Sequence, residues 1–494
     1  MIFDTVIIGS GVSGLTTALI LSRLGRRVAV VEKSEKAAPL VRGFNRGGIY
    51  FDSAFHYAGG LGDGEILDLY FRYLGIDRLV HKVPLDRCKF DIFRDSESGR
   101  EFCFPSGIAA LQEALCRIFP REARGIGSYL AHLEAVFRRL PYLNPEAVEG
   151  TSNMVEAVQG PSLDEVLRRF IRDPGLCHLL SLHTLLHGVS PQEIPFSIHA
   201  GVAFPFYRSA HRIAGGGRAL AEAFVSRIHS AGIPLIQGRS AKGMSFSSAG
   251  HLKGVELADG ESIACRECVV TIHPRRFLDL APEGALRPAY RKRLMGLEET
   301  FSGCILFLHG QPPPQILTGS NLYLGFSRQG LAEKLPEWER RLLFVAGGAS
   351  PPDSVKTDHG WSVICPASWL EMADKSGRAG NFRAESYRAA KEEVSQRIFQ
   401  RLAREAPEIV EGARLVEVAT PLTLRDYCGG PEGGIYGVRH ALGQYNPQAA
   451  TRIPHVYLSG QATAAPGILG AMVSAFLTCG HILGHDRLRR EIMI

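Results

Sequence analysis

An α/β architecture opening on a mononucleotide-binding βαβ unit is predicted by three observations. Residues Thr5–Ile8 are β-branched and apolar. They run into Gly9-Ser10-Gly11-Val12-Ser13-Gly14 and then into a helical stretch, Leu15–Leu24, that Gly25 stops. A second strand, Val28–Val31, ends on Glu32, 18 residues after Gly14 and near the ~20-residue spacing of an acid that binds a ribose. Glycine supplies 54 of 494 residues, above the usual ~7%, and the excess lies in short runs without a period, as tight turns and close backbone approach require.

Each part of the opening unit has a mechanical reason. Gly9 permits the tight turn, Gly11 lets main chain reach a pyrophosphate, and Gly14 lets helix and strand pack closely. The N–H groups that start the helix, at Val12 and Ser13, then face the phosphates. Glu32 is the ribose-binding candidate, and its neighbour Lys33 is grouped with the cofactor-binding residues.

Further along, glycine and β-type residues return at 47–52 and 56–62, and from about Asp68 to Val189 the chain reads as mostly helical. Within it, Ile126, Tyr129, Leu130, Leu133, Phe137 and Leu140 recur at i, i+3, i+4 spacing, the stripe of a core-facing helix. Gly215-Gly216-Gly217 opens a helix to about Ser230. Short strands follow near Leu235-Ile236, Gly254–Leu257 and Cys268–Ile272, the last two separated by the hairpin turn Asp259-Gly260. Strands and helices mix from His273 to about Val410. A final strand, Val456–Leu458, leads to Pro466-Gly467 and an apolar helix to about Leu483, read as buried rather than membrane-spanning because glycine and proline interrupt its first half.

Composition excludes several classes. Hydrophobic residues at 45% and charged residues at 21% fit a folded, mainly soluble protein, and the charge balance, 56 − 50 = +6, is scattered rather than gathered into a nucleic-acid-binding face. No G-x-S-x-G elbow and no P-loop occur, which sets hydrolase and kinase chemistry aside. Cys265 and Cys268 form the one C-x-x-C pair, but with no second pair at ligand spacing they read as strand residues. His183 and His187, at i, i+4, lack a third ligand and read as helix-surface or cavity-lining histidines, so no metal is expected. Ten dispersed cysteines and an opening that runs straight into a strand suit a reducing, cytoplasmic compartment.

The opening motif with Glu32, the Gly215–Leu220 helix start, and the terminal stretch from Tyr457-Leu458-Ser459-Gly460 to Gly470-Ala471-Met472 resemble the FAD-dependent amine oxidase and phytoene desaturase superfamily over nearly the whole chain. Residues 51–57 (FDSAFHY), 420–427 (TPLTLRDY) and 433–437 (GGIYG) are similar to its branch of phytoene desaturases, carotenoid isomerases and retinol saturases. The resemblance implies a Rossmann-like FAD-binding domain of the GR2 type, gathered from residues 1–75, 200–272 and 411–494. A mixed-sheet substrate domain with a helical part would come from 76–199 and 273–410. FAD would lie extended over Gly9–Gly14 and Glu32, with Gly460, Gln461, Gly467, Gly470, Ala471 and Met472 around the flavin end. The start of the terminal helix would face the flavin's pyrimidine edge, where its partial positive charge stabilises the reduced, anionic ring.

Three departures accompany the resemblance. The Gly-Gly pair usual after the ribose acid is replaced by Lys36-Ala37-Ala38-Pro39-Leu40, the glycine usual after Asp52 is Ser53, and Ala462 follows Gly460-Gln461 where saturase-like members tend to carry an acid.

What the resemblance implies of function is an FAD-dependent oxidoreductase acting on C=C or C–C bonds of a lipophilic polyene, a carotenoid, retinoid or other isoprenoid, by saturation, desaturation or isomerisation. A flavin amine oxidase and a non-catalytic flavin-containing carrier are the rivals. The candidate protic groups are His56 and Tyr57, which either transfer protons or simply hydrogen-bond and pack. Arg425 and Tyr427, with Tyr436 and His440 nearby, either orient substrate or brace the seam between domains. The expected partners are a lipophilic small molecule and an electron donor or acceptor, with no nucleic acid; a lipophilic substrate brings the expectation of peripheral membrane contact.

Overall fold

The computed structural model describes residues 2–144, 160–326, 337–348, 360–375, 378–379, 382–383 and 385–492. Strand Phe3–Ile8 lies between Val28–Val31 and Ser262–Val270, all parallel, with Leu235–Ile236 beyond one neighbour and Val456–Leu458 beyond the other. The chain thus gathers one parallel sheet from segments far apart in sequence. Strand Ser262–Val270 also pairs antiparallel with Leu252–Leu257, and that strand with Ala241–Phe246, forming a small meander.

Successive side chains of a strand point to opposite faces, and here both faces are buried. Ile7, Val28, Val30 and Val269 pack with Leu15 and Leu19 of helix Val12–Arg23 and with Met472 and Phe476 of helix Gly467–Leu483. Val6, Ile8, Val31 and Val270 face a second core holding Phe277, Leu278 and Leu294. The stripe expected in 125–140 is the buried face of helix Ala123–Phe137 and the turn after it. The helix that ends at Leu483 begins at Gly467 and is buried against helix Val12–Arg23. Among the described residues, no helix is long and apolar enough to cross a membrane.

A second, seven-stranded mixed sheet runs Arg414–Ala419, Ser302–His309, Trp361–Ala367, Leu343–Gly347, Asn321–Gly325, Asp91–Asp95, Glu101–Phe104. All neighbours are antiparallel except the pair Asn321–Gly325 and Asp91–Asp95. Helices Ala123–Phe137, Leu163–Phe170 and Phe196–Arg208 pack together beside it.

The structure corrects the sequence reading in several places. The stretch 68–189 is not mostly helical at its start: Lys82–Pro84, Asp91–Asp95 and Glu101–Phe104 are strands. Their charged residues depress β propensity, but each finds a tertiary partner, as Arg94 does in Glu101 and Glu408, both at 2.7 Å. Strand Ala241–Phe246 was not anticipated either. The expected divisions at 199/200, 272/273 and 410/411 also shift. Helix Phe196–Arg208 crosses the first, Phe277–Leu297 packs on the parallel sheet, and Arg414–Ala419 joins the second sheet. His183 and His187 lie on or beside a 3-10 turn, Leu182–Leu186, and both are buried rather than on a helix surface.

Candidate active site

The glycine turn after the first strand is shaped by close approach. Gly9 holds φ +105°, and a Cβ there would come 2.6 Å from Thr271 Oγ1; one on Gly14 would come 2.1 Å from the Gly9 carbonyl oxygen. Gly11 differs, since a Cβ on it meets nothing within 4 Å. It opens outward at the start of helix Val12–Arg23, which has no side-chain cap and no acidic residue in its first turn. The first N–H groups of that helix are therefore available to an anion. Glu32 is buried at the end of the neighbouring strand, where Oε2 accepts from Ser10 N (2.9 Å) and Ser10 Oγ (2.7 Å), and Oε1 from Ser34 N (2.8 Å). Lys33 is exposed beside it.

The terminal segment closes this cradle. Ser13 Oγ and Ser459 Oγ are hydrogen-bonded at 2.7 Å, and Ser474 Oγ accepts from Gly460 N at 2.7 Å. The turn at Gly460 (φ +128°) is thereby fixed beside the glycine turn 9–14. Helix Gly467–Leu483 also starts without a side-chain cap or an acid in its first turn. Gly470 cannot carry a side chain, because its Cβ would lie 2.1 Å from the Ala465 carbonyl oxygen. Two uncapped helix starts, an open glycine and a buried acid fit an extended dinucleotide cofactor with a negative pyrophosphate in its middle.

A further glycine run supports the loop that carries His56 and Tyr57. Asp52 is buried and accepts from Gly217 N (2.7 Å) and from Tyr50 Oη (2.8 Å), while the Arg218 guanidinium stacks over the Tyr50 ring at 4.2 Å. Burial lifts the Asp52 carboxyl to about 6, although both hydrogen bonds pull it down. Where the family usually has two glycines, Ala38 holds a left-handed backbone at φ +51°, so the conformation is kept although the residue type is not. Ser53, in place of a glycine, donates to the Leu40 carbonyl at 2.8 Å and ties the loop back.

Between the parallel sheet, the second sheet and the helices lies a cavity of ≈ 1220 Å³ including its open mouth. One end is formed by Pro466–Gly470; Leu185, Ile198, Phe206 and Phe344 contribute to its apolar wall, and no Asp, Glu, Lys or Arg lines it among the described residues. His56 and Tyr57 both line it. His56 Nε2 is buried without a partner, and burial, reinforced by repulsion from Arg212, lowers this imidazole to about 4, so it is neutral at pH 7. The Tyr57 hydroxyl is not free: it donates to Asp91 Oδ2 (2.8 Å) and lies 3.0 Å from the Tyr323 hydroxyl.

Asp91 is the centre of a buried network that sequence reading missed. Its Oδ2 also meets His183 Nε2 at 3.0 Å, and its Oδ1 accepts from Asn321 Nδ2 at 2.9 Å. His183 Nδ1 lies 3.1 Å from the Tyr207 hydroxyl, and Arg212 donates to Asn321 Oδ1 and the Ser320 carbonyl, both at 2.9 Å. Burial lowers even the Arg212 guanidinium, to about 10. His187 is paired with His199 at 3.2 Å, away from this carboxylate. Among the described residues no group of three or more His, Cys, Asp or Glu could hold a metal ion.

The other candidates separate. Tyr436 lines the cavity, whereas His440 lies behind it and is hydrogen-bonded to the Gln461 carbonyl at 2.7 Å. Gly467 and Gly470 line the cavity; Gln461, Ala471 and Met472 do not, and the Met472 side chain is fully buried in the core. Arg425 and Tyr427 must be corrected, because neither reaches the cavity. Helix Pro421–Cys428 buries Pro421 and Leu422 and turns Tyr427 outward at 76% exposure; Arg425 pairs with Asp426 at 3.0 Å and stacks on Trp369.

Comparison with known proteins places this geometry. The chain is 25% identical over 527 residues to the all-trans-retinol 13,14-reductase of Rattus norvegicus, covering 97% of this chain and 85% of that protein. A phytoene desaturase (lycopene-forming) of Pseudescherichia vulneris is 26% identical over 225 residues, 41% of this chain and 43% of that one. The crystal structure of an oxidoreductase from Methanosarcina mazei superposes with a TM-score of 0.66 at 16% identity, covering 96% of this chain and 98% of the other, which shows the shared fold. The model of the family described as flavin containing amine oxidoreductase matches residues 12–308, and the chain belongs to that family as an FAD-dependent oxidoreductase.

Proposed function

We propose that this chain saturates a carbon–carbon double bond of a lipophilic polyene of the retinoid or carotenoid class. The observation that carries the reading is the uncharged, aromatic-lined cavity that ends on the start of helix Gly467–Leu483. An amine substrate is disfavoured because a protonated amine entering it would meet no lining carboxylate, and desolvating an unpaired cation is costly. Saturation is preferred over desaturation because relatives named all-trans-retinol 13,14-reductase match over 97% of this chain, while the phytoene desaturase matches over 41%.

Bound FAD supplies the two-electron chemistry. The chain's own residues do the rest. The N–H groups after Gly11 and the buried Glu32 would hold the nucleotide half, and the uncapped start of helix Gly467–Leu483 would offer its positive end to the redox-active half. The apolar wall excludes water and fixes the polyene by shape. An external two-electron donor completes the cycle. We place the protein in the cytoplasm in peripheral contact with the bilayer that dissolves its substrate; retention on vesicles in high salt and release by detergent supports that contact, and release by salt alone refutes a hydrophobic one.

The test is anaerobic incubation of the reduced protein with retinoids and carotenoids, followed by mass spectrometry. Gain of two hydrogens is the expected result. Loss of two hydrogens with the oxidised protein would replace saturation by desaturation, and unchanged mass with shifted retention would replace it by isomerisation. No change in any polyene overturns the substrate class.

A further inference from the structure

Five residues lining the cavity carry polar side-chain atoms: His56, Tyr57, Ser197, Tyr323 and Tyr436. Asp91 takes the Tyr57 hydroxyl, Tyr57 and Tyr323 share a hydrogen bond, and Ser197 has a partner of its own. His56 Nε2 is also unpartnered, but a neutral imidazole is a weaker acid than a phenol. Tyr436 is the phenol left unheld. Its main-chain N–H donates to Thr300 Oγ1 at 3.1 Å, and its ring packs on Gly188, where a Cβ would come 3.1 Å from Cδ2. Its hydroxyl has no hydrogen-bond partner among the described residues, and burial alone shifts its titration upward. The next residue, Gly437, abuts Gln461, whose Nε2 would lie 3.0 Å from a Cβ there, so Tyr436 stands at the end of the cavity where the terminal segment enters.

We propose that Tyr436 is the proton donor to the substrate, a role for which the sequence pattern singles out His56 and Tyr57. This rests on the polyene-saturating reading. Reduced FAD would supply two electrons and a hydrogen nucleus to one carbon of the double bond, and the phenolic proton of Tyr436 passes to the other. The π pair becomes the second C–H bond, the phenolate recovers a proton from water at the cavity mouth, and the two-electron donor reduces the cofactor again. A phenol suits the task. Burial keeps its proton in place at neutral pH, and a carbon acquiring carbanion character is more basic than any phenolate, so the transfer runs downhill. The Tyr57 and Tyr323 hydroxyls are instead held by Asp91 and by each other, which leaves their rings to act as wall.

The test is Tyr436→Phe in the FAD-loaded protein. Expected are unchanged flavin content, polyene binding within about 2-fold by quenching of intrinsic fluorescence, and a single-turnover rate with reduced enzyme lower by about 100-fold or more, the scale of a lost general acid. A rate within about 3-fold of wild type overturns the proposal and passes the role to His56. A parallel loss of polyene binding of about 10-fold or more also overturns it, making Tyr436 a binding group. If the wild-type protein itself binds and converts no polyene, the functional reading fails and takes the proposal with it, an outcome distinct from an active Tyr436→Phe.

Discussion

In the cradle for the cofactor, the groups that would meet a phosphate are main chain, supplied by the consecutive residues 9–14. At the far wall of the cavity the groups are side chains, Tyr57, Asp91, His183, Arg212 and Asn321, drawn from five separate segments. The two regions respond to change differently. A main-chain site depends on what a residue lacks, a Cβ at Gly9 or Gly14, and tolerates variety elsewhere. A side-chain network depends on complete pairing, because a buried donor or charge left alone costs its full desolvation.

Glycine replacements test the first region and should have the largest effect. Gly14→Ala drives a Cβ against the Gly9 carbonyl and should abolish flavin retention, read as loss of absorbance at about 450 nm. Gly11→Ala meets open space, so its thermal stability should stay within about 1 kcal/mol of wild type while flavin affinity falls. Equal stability loss in both variants would break the distinction. Asp91→Ala tests the second region: it strands the hydrogen-bond donors of Tyr57, His183 and Asn321 beside a buried guanidinium, and should cost about 3–5 kcal/mol by denaturant titration. A cost below about 1 kcal/mol would mean that the network is not a unit. The smallest effect has the opposite sign: Ala38→Gly relieves a left-handed alanine and should stabilise the fold by about 1 kcal/mol. An unchanged or lower melting temperature would show that the burial of the Ala38 methyl matters more than its backbone strain.

The same contrast explains what was legible in the sequence. The βαβ unit, the Gly216 and Gly467 helix starts and the Asp259-Gly260 hairpin are local, and the spacing of glycines and β-branched residues is enough to find them. Asp91 was invisible because nothing in Asp91-Ile92-Phe93-Arg94-Asp95 suggests a strand, still less one paired in parallel with Asn321–Gly325. Arg212 gave no signal, because in Ala210-His211-Arg212-Ile213 it stands beside another polar residue in a short strand. Tyr427 was misread although helical geometry could have warned: five residues after buried Leu422, it points about 140° around the helix from it.

The bond between Ser13 and Ser459 spans 446 residues. At ~5–20 residues per second of translation, the first half of the cofactor cradle waits roughly 20–90 s on the ribosome for the second. Until Val456–Leu458 joins Ser262–Val270, the nascent parallel sheet keeps an unpaired edge. Loading of the cofactor is therefore a late event in the life of the chain, and a chaperone that shields that edge would raise the yield of holoenzyme without touching the finished fold.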